Sequence, residues 1–491
     1  MYFIDKPIAG NLLACLKLIC GDNGTLIPRI IWKRALDTTS IIMSDIKTTA
    51  PKAAYPSPFL WVPTSYLAMG LIYSTLANVA NIMFKNMGLD NAQAAFWSSL
   101  FVLPYVIKPL WAPTVELYKT KKFFVIGAQC ALVVAVACVA LALKLPGQSF
   151  FLPVIVLFII IGLVGATQDI ASDGVYVTTL GPAEQAKYIG IQSLCWNGGP
   201  VIANGVLVHV SGAFYKSTGN WGQAWMIVMF VIAGLIGLIA LYHTKLLPPG
   251  AKALDAPKSF GDAMHTFGHA FATFFQKKNI LLMIAFAFFF RFGYGFLDKM
   301  IPLFMIDPQA KGGLGLTNEA LGDIYGTFGT LAFMVGSILG GLFVAKRGLR
   351  RTLLLLCLCM NVPNVVFVFL SQTQTHSYPM IASLVTVEKF FWGFGAVGQM
   401  IYMMHQIAPG PYKTAHYTFA TAFMGFNMMF TGMISGKVEE LVGYKTFFIL
   451  ALVAASVPSV LATLFAPFHH PDSAGPNAAK PPNETEVPVA A

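Results

Sequence analysis

The chain is 491 residues long, 56% hydrophobic and only 11% charged, with a mean hydropathy of +0.67. That is more apolar surface than one water-soluble core can hide, so lipid has to cover the remainder, and a soluble enzyme is excluded. The net charge of +11 is divided among short Lys and Arg clusters between apolar runs instead of forming one basic face, which argues against nucleic acid as a partner.

Residues 1–58 read as an N-terminal extension. Its apolar stretch from Ile8 to Cys20 is too short to span and is interrupted by Lys17, and Met43 offers an alternative start. From Trp61 to Phe468, apolar runs of roughly 20 residues recur, the length that a hydrocarbon layer about 30 Å thick demands of a helix. They predict an all-α membrane protein with twelve helices, at 59–84, 92–112, 123–143, 151–180, 187–213, 222–244, 279–306, 320–344, 351–371, 378–406, 413–437 and 443–466. Residues 59–244 and 279–466 then form two six-helix bundles. The Pro- and Lys-bearing segment 245–278 joins them as a linker, and a Pro- and Ala-rich disordered tail covers 467–491.

The second helix ends in a basic turn, Lys108-Pro-Leu-Trp111-Ala-Pro113-Thr-Val-Glu116-Leu-Tyr-Lys119, followed by Lys121 and Lys122. In the fourth helix, Gly165-Ala-Thr-Gln168-Asp169-Ile-Ala-Ser172-Asp173-Gly-Val-Tyr176 sets two acids four positions apart, on one face, with Ser172 and Tyr176 continuing the stripe. A charged residue at mid-bilayer costs at least about 2.5 kcal/mol, so this pair calls for a reason, and proton coupling supplies it. The seventh helix holds Arg291, a planar donor suited to Asp169, Asp173, Glu388 or an acidic substrate, with Asp298 and Lys299 beyond it as a local pair. After the eighth helix a second basic turn, Lys346-Arg347-Gly-Leu-Arg350-Arg351, stands where the first stood in the other half. In the tenth helix Glu388 and Lys389 are adjacent and point apart, which places Glu388 in the cavity and Lys389 elsewhere. Gly393-Phe-Gly395-Ala-Val-Gly398 has the spacing of a dinucleotide fingerprint but no preceding strand, so it reads as close helix packing.

With the first helix entering from the cytoplasm, inward loops carry about 14 Lys and Arg and outward loops about 5, which sets both termini inside. The seven cysteines match neither a disulfide framework nor a zinc spacing, and no nucleophile has a base at helical spacing, so no cofactor, metal or catalysis is expected.

The basic turns resemble the short cytoplasmic loop of the major facilitator superfamily, whose acid and cations hold one conformation; the matching residues are Lys108, Glu116, Lys119, Arg347 and Arg350. At Gln168-Asp169 and Asp173, at Leu103-Pro-Tyr-Val-Ile-Lys108-Pro-Leu-Trp111-Ala-Pro113 and at Gly190-Ile-Gln192-Ser193, the chain resembles the AmpG muropeptide permeases of that superfamily. The resemblance implies an inner-membrane, proton-driven importer of anhydro-muropeptides, with Gln168, Asp169 and Asp173 functional and helices one, four, seven and ten lining the cavity. It also implies an acid soon after the Gly of helix seven, where this chain has Arg291 and Gly293 but then Tyr294. Tyr73, Tyr294, Trp392 and Tyr402 suit stacking on sugar rings. The reading is a monomeric importer with Asp169 and Asp173 as the proton-coupling pair and Gln168, Tyr176, Arg291, Tyr294, Glu388 and Tyr73 toward the substrate. A sugar symporter, a drug or cation exporter and a non-transporting membrane sensor remain as alternatives.

Overall fold

The computed structural model describes residues 55–112, 115, 119–250, 260–410 and 412–470. Most of the N-terminal extension with Met43, Pro113 and Glu116 of the first basic turn, the middle of the linker and nearly all of the tail lie outside the described residues. Those described form thirteen helical segments. These are α1 (Pro58–Asn86), α2 (91–110), α3 (Lys121–Ala142), α4 (Phe151–Thr179), α5 (182–218), α6 (Trp221–Leu246), α7 (Phe260–Phe275), α8 (Ile280–Ile306), α9 (Asn318–Arg347), α10 (Leu349–Thr373), α11 (Tyr378–Ile407), α12 (413–442) and α13 (444–464). All but α7 correspond to the twelve helices expected, and among the described residues nine stretches are long and apolar enough to cross a membrane, with α12 and α13 counting as one and α2 and α5 not reaching that measure.

The departures from the expected boundaries have local causes. Proline has no N–H to donate, so α2, expected as one continuous helix, breaks before Pro104 and again at Lys108-Pro109. α5 begins at Pro182, earlier than expected, because proline suits a first turn. After Pro200 it loosens into a π-helical stretch, Val201–Leu207, and similar wide turns interrupt α1 at Thr75–Val79, α9 at Gly322–Gly329 and α11 at Met403–Ile407. Helical geometry runs through from Lys413 to Val453 except at Gly443, whose φ of 73° and ψ of 159° lie where only glycine is unstrained. The chain reverses there. The linker is not wholly loop: the apolar spacing Phe267, Ala270, Phe271, Phe274 folds α7, which lays Phe274 against Phe419 of α12 at 5.5 Å between rings.

The outer surface is a belt of aliphatic side chains. Leu152, Leu238, Leu241, Leu281, Ile338 and Leu441 are each more than 60% exposed. In water each would forfeit about 1.5–3 kcal/mol of burial, so only lipid makes this surface stable.

One end of the bundle carries Pro58, the turn at Lys119, the linker, the turn at Gly348 and the chain's described C-terminus; it is called proximal here, and the opposite end distal. The hydrogen bonds and ion pairs found between the two halves gather toward the distal end. Lys85 of α1 pairs with Asp307 after α8 at 2.7 Å. Asn91, opening α2, donates to Asp307 (3.1 Å) and to Glu439 of α12 (2.8 Å), and Tyr444 donates to Asp307 (2.7 Å). Beside them Asn318 donates to Asn86 (2.7 Å) and Ser211 (2.9 Å), and Lys216 pairs with Glu319 at 2.8 Å. α5 and α9 cross at their wide turns so closely that a Cβ on Gly326 would overlap the Asn204 carbonyl.

Candidate functional site

The two acids of α4 have separate partners. Asp169, 7% exposed, forms an ion pair with Lys108, which the break in α2 delivers from the next helix. One turn further, Asp173 accepts a hydrogen bond from the Tyr66 hydroxyl of α1 at 2.7 Å. Trp111 donates its indole N–H to Thr167 (3.2 Å), tying the end of α2 to α4 beside this pair. Gln168 is buried, and neither atom of its amide has a hydrogen-bond partner among the described residues. Tyr176 was expected to face the substrate. Instead it is core: its ring packs edge-on against Tyr66 (5.8 Å) and Trp61 (6.5 Å), and its hydroxyl donates to the Gln185 carbonyl at 2.7 Å.

The second group lies in the other half. α8 is interrupted between Phe289 and Phe292, and Arg291 sits in the gap, where its guanidinium donates to the Ala396 carbonyl of α11 at 3.2 Å. The expected pairing of Arg291 with Asp169, Asp173 or Glu388 is not found; its hydrogen bond goes to backbone instead. Tyr294 stacks on Trp392 with 4.4 Å between centroids and 19° between planes. Lys389 does not point away: it donates to the Tyr294 hydroxyl at 2.7 Å and lies over the Tyr325 ring at 4.0 Å. Wrapped by aromatic faces, this ammonium trades hydration for the negative faces of the π-systems. Glu388 is fully buried and neither carboxylate oxygen has a hydrogen-bond partner among the described residues. The expected local ion pair of Lys299 with Asp298 is not among those found in the described residues; Lys299 reaches instead across the interface to the Ala77 carbonyl of α1. Asp298, by contrast, keeps part of its surface open although it sits well inside α8.

Tyr73 of α1 is where the two groups meet. Its ring stands edge-on to Tyr105 (5.2 Å), and its electrostatic neighbours are Asp169 and Lys108 on one side and Arg291 and Asp298 on the other. A polar core therefore runs across the interface: one acid pair with a cation in α2 and α4, and a mixed set of three cations, two acids and stacked rings in α8 and α11. Such an arrangement can exchange charge partners when the halves move, and its rings and cations can hold an amphipathic solute.

Sequence reasoning missed Lys389, Asp298 and Tyr325. Arg291, Tyr294 and Asp298 recur at three- and four-residue spacing, so one stripe of α8 was available as the signal for Asp298. The basic turns behave differently from expectation. Lys119 adopts a left-handed conformation (φ 53°) and is exposed, Arg347 lies over Phe343 (5.0 Å) and Arg350 over Phe468 (5.7 Å). Lys108, one of the five cations and acids expected to act as conformational loops, is joined to a membrane-embedded acid, Asp169.

A family model described as Major Facilitator Superfamily matches residues 64–436. The anhydromuropeptide permease of Escherichia coli (strain K12) is 25% identical over 409 residues, covering 82% of this chain and 77% of that one. Among solved structures, a D-xylose–proton symporter has a TM-score of 0.64 at 13% identity, covering 84% of this chain and 97% of that one. The nucleoside transporter NupG has a TM-score of 0.61 at 15% identity, covering 84% and 99%. At these identities the two structures speak to the fold alone.

Proposed function

The chain belongs to the Major Facilitator Superfamily and is a membrane transporter of that family, and we propose that it imports a cell-wall-derived anhydro-muropeptide together with protons. The protein sits in the inner membrane with its proximal end and both termini in the cytoplasm, a placement supported by the excess of Lys and Arg in the proximal loops. One chain forms a complete unit and works by rocking its two halves about the polar core.

The observation that carries this reading is the placement of the α4 acids: Asp169 bound to Lys108, and Asp173 held by Tyr66 on the same helical face. A proton arriving on Asp169 removes its half of the ion pair, so Lys108 is freed and the local contact between α2 and α4 weakens. Protonation is thereby linked to helix movement through a differential contact energy, which is what coupling requires. The cargo is supported by the identity with the Escherichia coli permease along most of both chains. Arg291 suits a carboxylate of the peptide moiety, and the Tyr294–Trp392 stack offers an aromatic face to a sugar ring.

The same stack favours a second reading, a sugar or oligosaccharide symporter, because Tyr294 stands where the AmpG resemblance implies an acid. Radiolabelled anhydro-muropeptide and a labelled disaccharide lacking the peptide, offered to right-side-out vesicles under an imposed pH gradient, separate the two. Accumulation of the muropeptide that a protonophore abolishes is expected. Accumulation of the disaccharide alone would overturn the muropeptide assignment and leave the coupling intact.

A further inference from the structure

At the proximal end, the hairpin between α9 and α10 encloses a cavity of about 380 Å³ lined by Phe343, Lys346, Arg347, Arg351, Thr352 and Leu355. Three of these are cations, all exposed, and none forms an ion pair among the described residues. No acid is available nearby in sequence either, since neither Asp nor Glu occurs from Ile324 to Val387. Lys277, at the same end, contrasts with them: its ammonium is taken up by the carbonyls of Ile407 (2.7 Å) and Pro409. The cavity also opens on the lipid belt, because Ile338 and Leu342 on α9 and Leu354 and Leu358 on α10 are exposed just below it.

Three exposed cations with no ion pair among the described residues, above an aliphatic track, make an amphipathic site, with room for an anionic group at the membrane surface and for hydrocarbon beneath. A soluble anion would use only the upper part. We infer that this hairpin binds the phosphate headgroup of an anionic phospholipid, with Lys346, Arg347 and Arg351 on the phosphate and the acyl chains along Phe343, Leu355 and the belt below. Arginine suits the phosphate because its planar fork donates in pairs. The site is separate from the polar core and does not depend on which solute is carried.

The test is native mass spectrometry of the full-length protein in mixed micelles containing phosphatidylglycerol and phosphatidylethanolamine. The wild type is expected to retain phosphatidylglycerol in preference to phosphatidylethanolamine. At about a tenfold affinity loss for each one or two surface charges removed, the triple variant Lys346→Gln, Arg347→Gln, Arg351→Gln should bind phosphatidylglycerol roughly a hundredfold more weakly. Arg347→Lys with Arg351→Lys keeps the charge and should keep most of the retention, which guards against a folding defect in the triple variant. Lys187→Gln removes an exposed proximal cation elsewhere and should change nothing. Equal retention by wild type and triple variant, an equal loss in Lys187→Gln, or full displacement of the lipid by millimolar inorganic phosphate would each overturn the assignment; the last would identify a free-phosphate site instead.

Discussion

Replacing Asp169 by Asn removes one charge of the α2–α4 ion pair and leaves Lys108 facing a neutral amide. Breaking a fully buried pair this way costs about 3–5 kcal/mol, because the remaining charge is desolvated without compensation. Here the Lys108 side chain keeps 28% of its exposure and Asp169 10%, so water screens part of the loss and the cost is about 2 kcal/mol. Lys108→Gln alone should cost a similar amount by stranding the carboxylate. The double variant strands neither, so it should lie within about 1 kcal/mol of the wild type, which against two single losses of about 2 kcal/mol each makes the coupling energy about 3 kcal/mol in the double-mutant cycle. Reversible thermal melts in detergent read the stability side. Gradient-driven uptake reads the functional side, where both single variants and the double variant should be inactive, because restoring neutrality does not restore an acid that can bind a proton. Strictly additive melts would refute the ion pair as a structural link, and undiminished uptake by the Asn variant would refute Asp169 as the coupling group.

Tyr294→Phe keeps the ring on Trp392 but removes the oxygen that accepts from Lys389, a hydrogen bond to a charged group worth about 1.5–3 kcal/mol. Uptake should show a KM raised at least tenfold with the protein still folded; an unchanged KM would detach Lys389 from the solute site. Gly326→Val forces a side chain into the Asn204 carbonyl at the α5–α9 crossing and should hold the distal ends apart. Cysteines placed at the distal ends of α5 and α9 should then crosslink more slowly than in the wild-type background, and an equal rate would mean that the crossing does not control closure.

The twelve helices were legible because the bilayer imposes one length on apolar runs. What the residues concealed was local. Pro104 and Pro109 were visible, yet the break they cause decides where Lys108 points, and periodicity carries no information about a side chain delivered from a broken helix end. Asp169 and Asp173 stood out because two acids on one turn are costly in lipid. Lys389 was misjudged for the opposite reason: adjacency to Glu388 said that the two diverge, whereas α11 is packed on several sides and both directions are buried. Its partners, Tyr294 and Tyr325, come from α8 and α9, so that contact exists only once three helices are assembled. Tyr176 continued the polar stripe of α4 in sequence but lies near its end, where Trp61 and Tyr66 close over it.

The wide turns of α5 and α9 meet where the halves cross, and each stretches the ladder from i, i+4 to i, i+5. A helix loosened in this way can pass its extra residue along by exchanging one carbonyl partner for the next, so its length and twist change in single-residue steps without unwinding. The crossing is thus built like a bearing with a small backlash, while the regular turns on either side stay stiff. Amide hydrogens at 201–207 and 322–329 should therefore exchange with deuterium ahead of those in neighbouring turns, even at Ala203 and Ile324, whose side chains are fully buried.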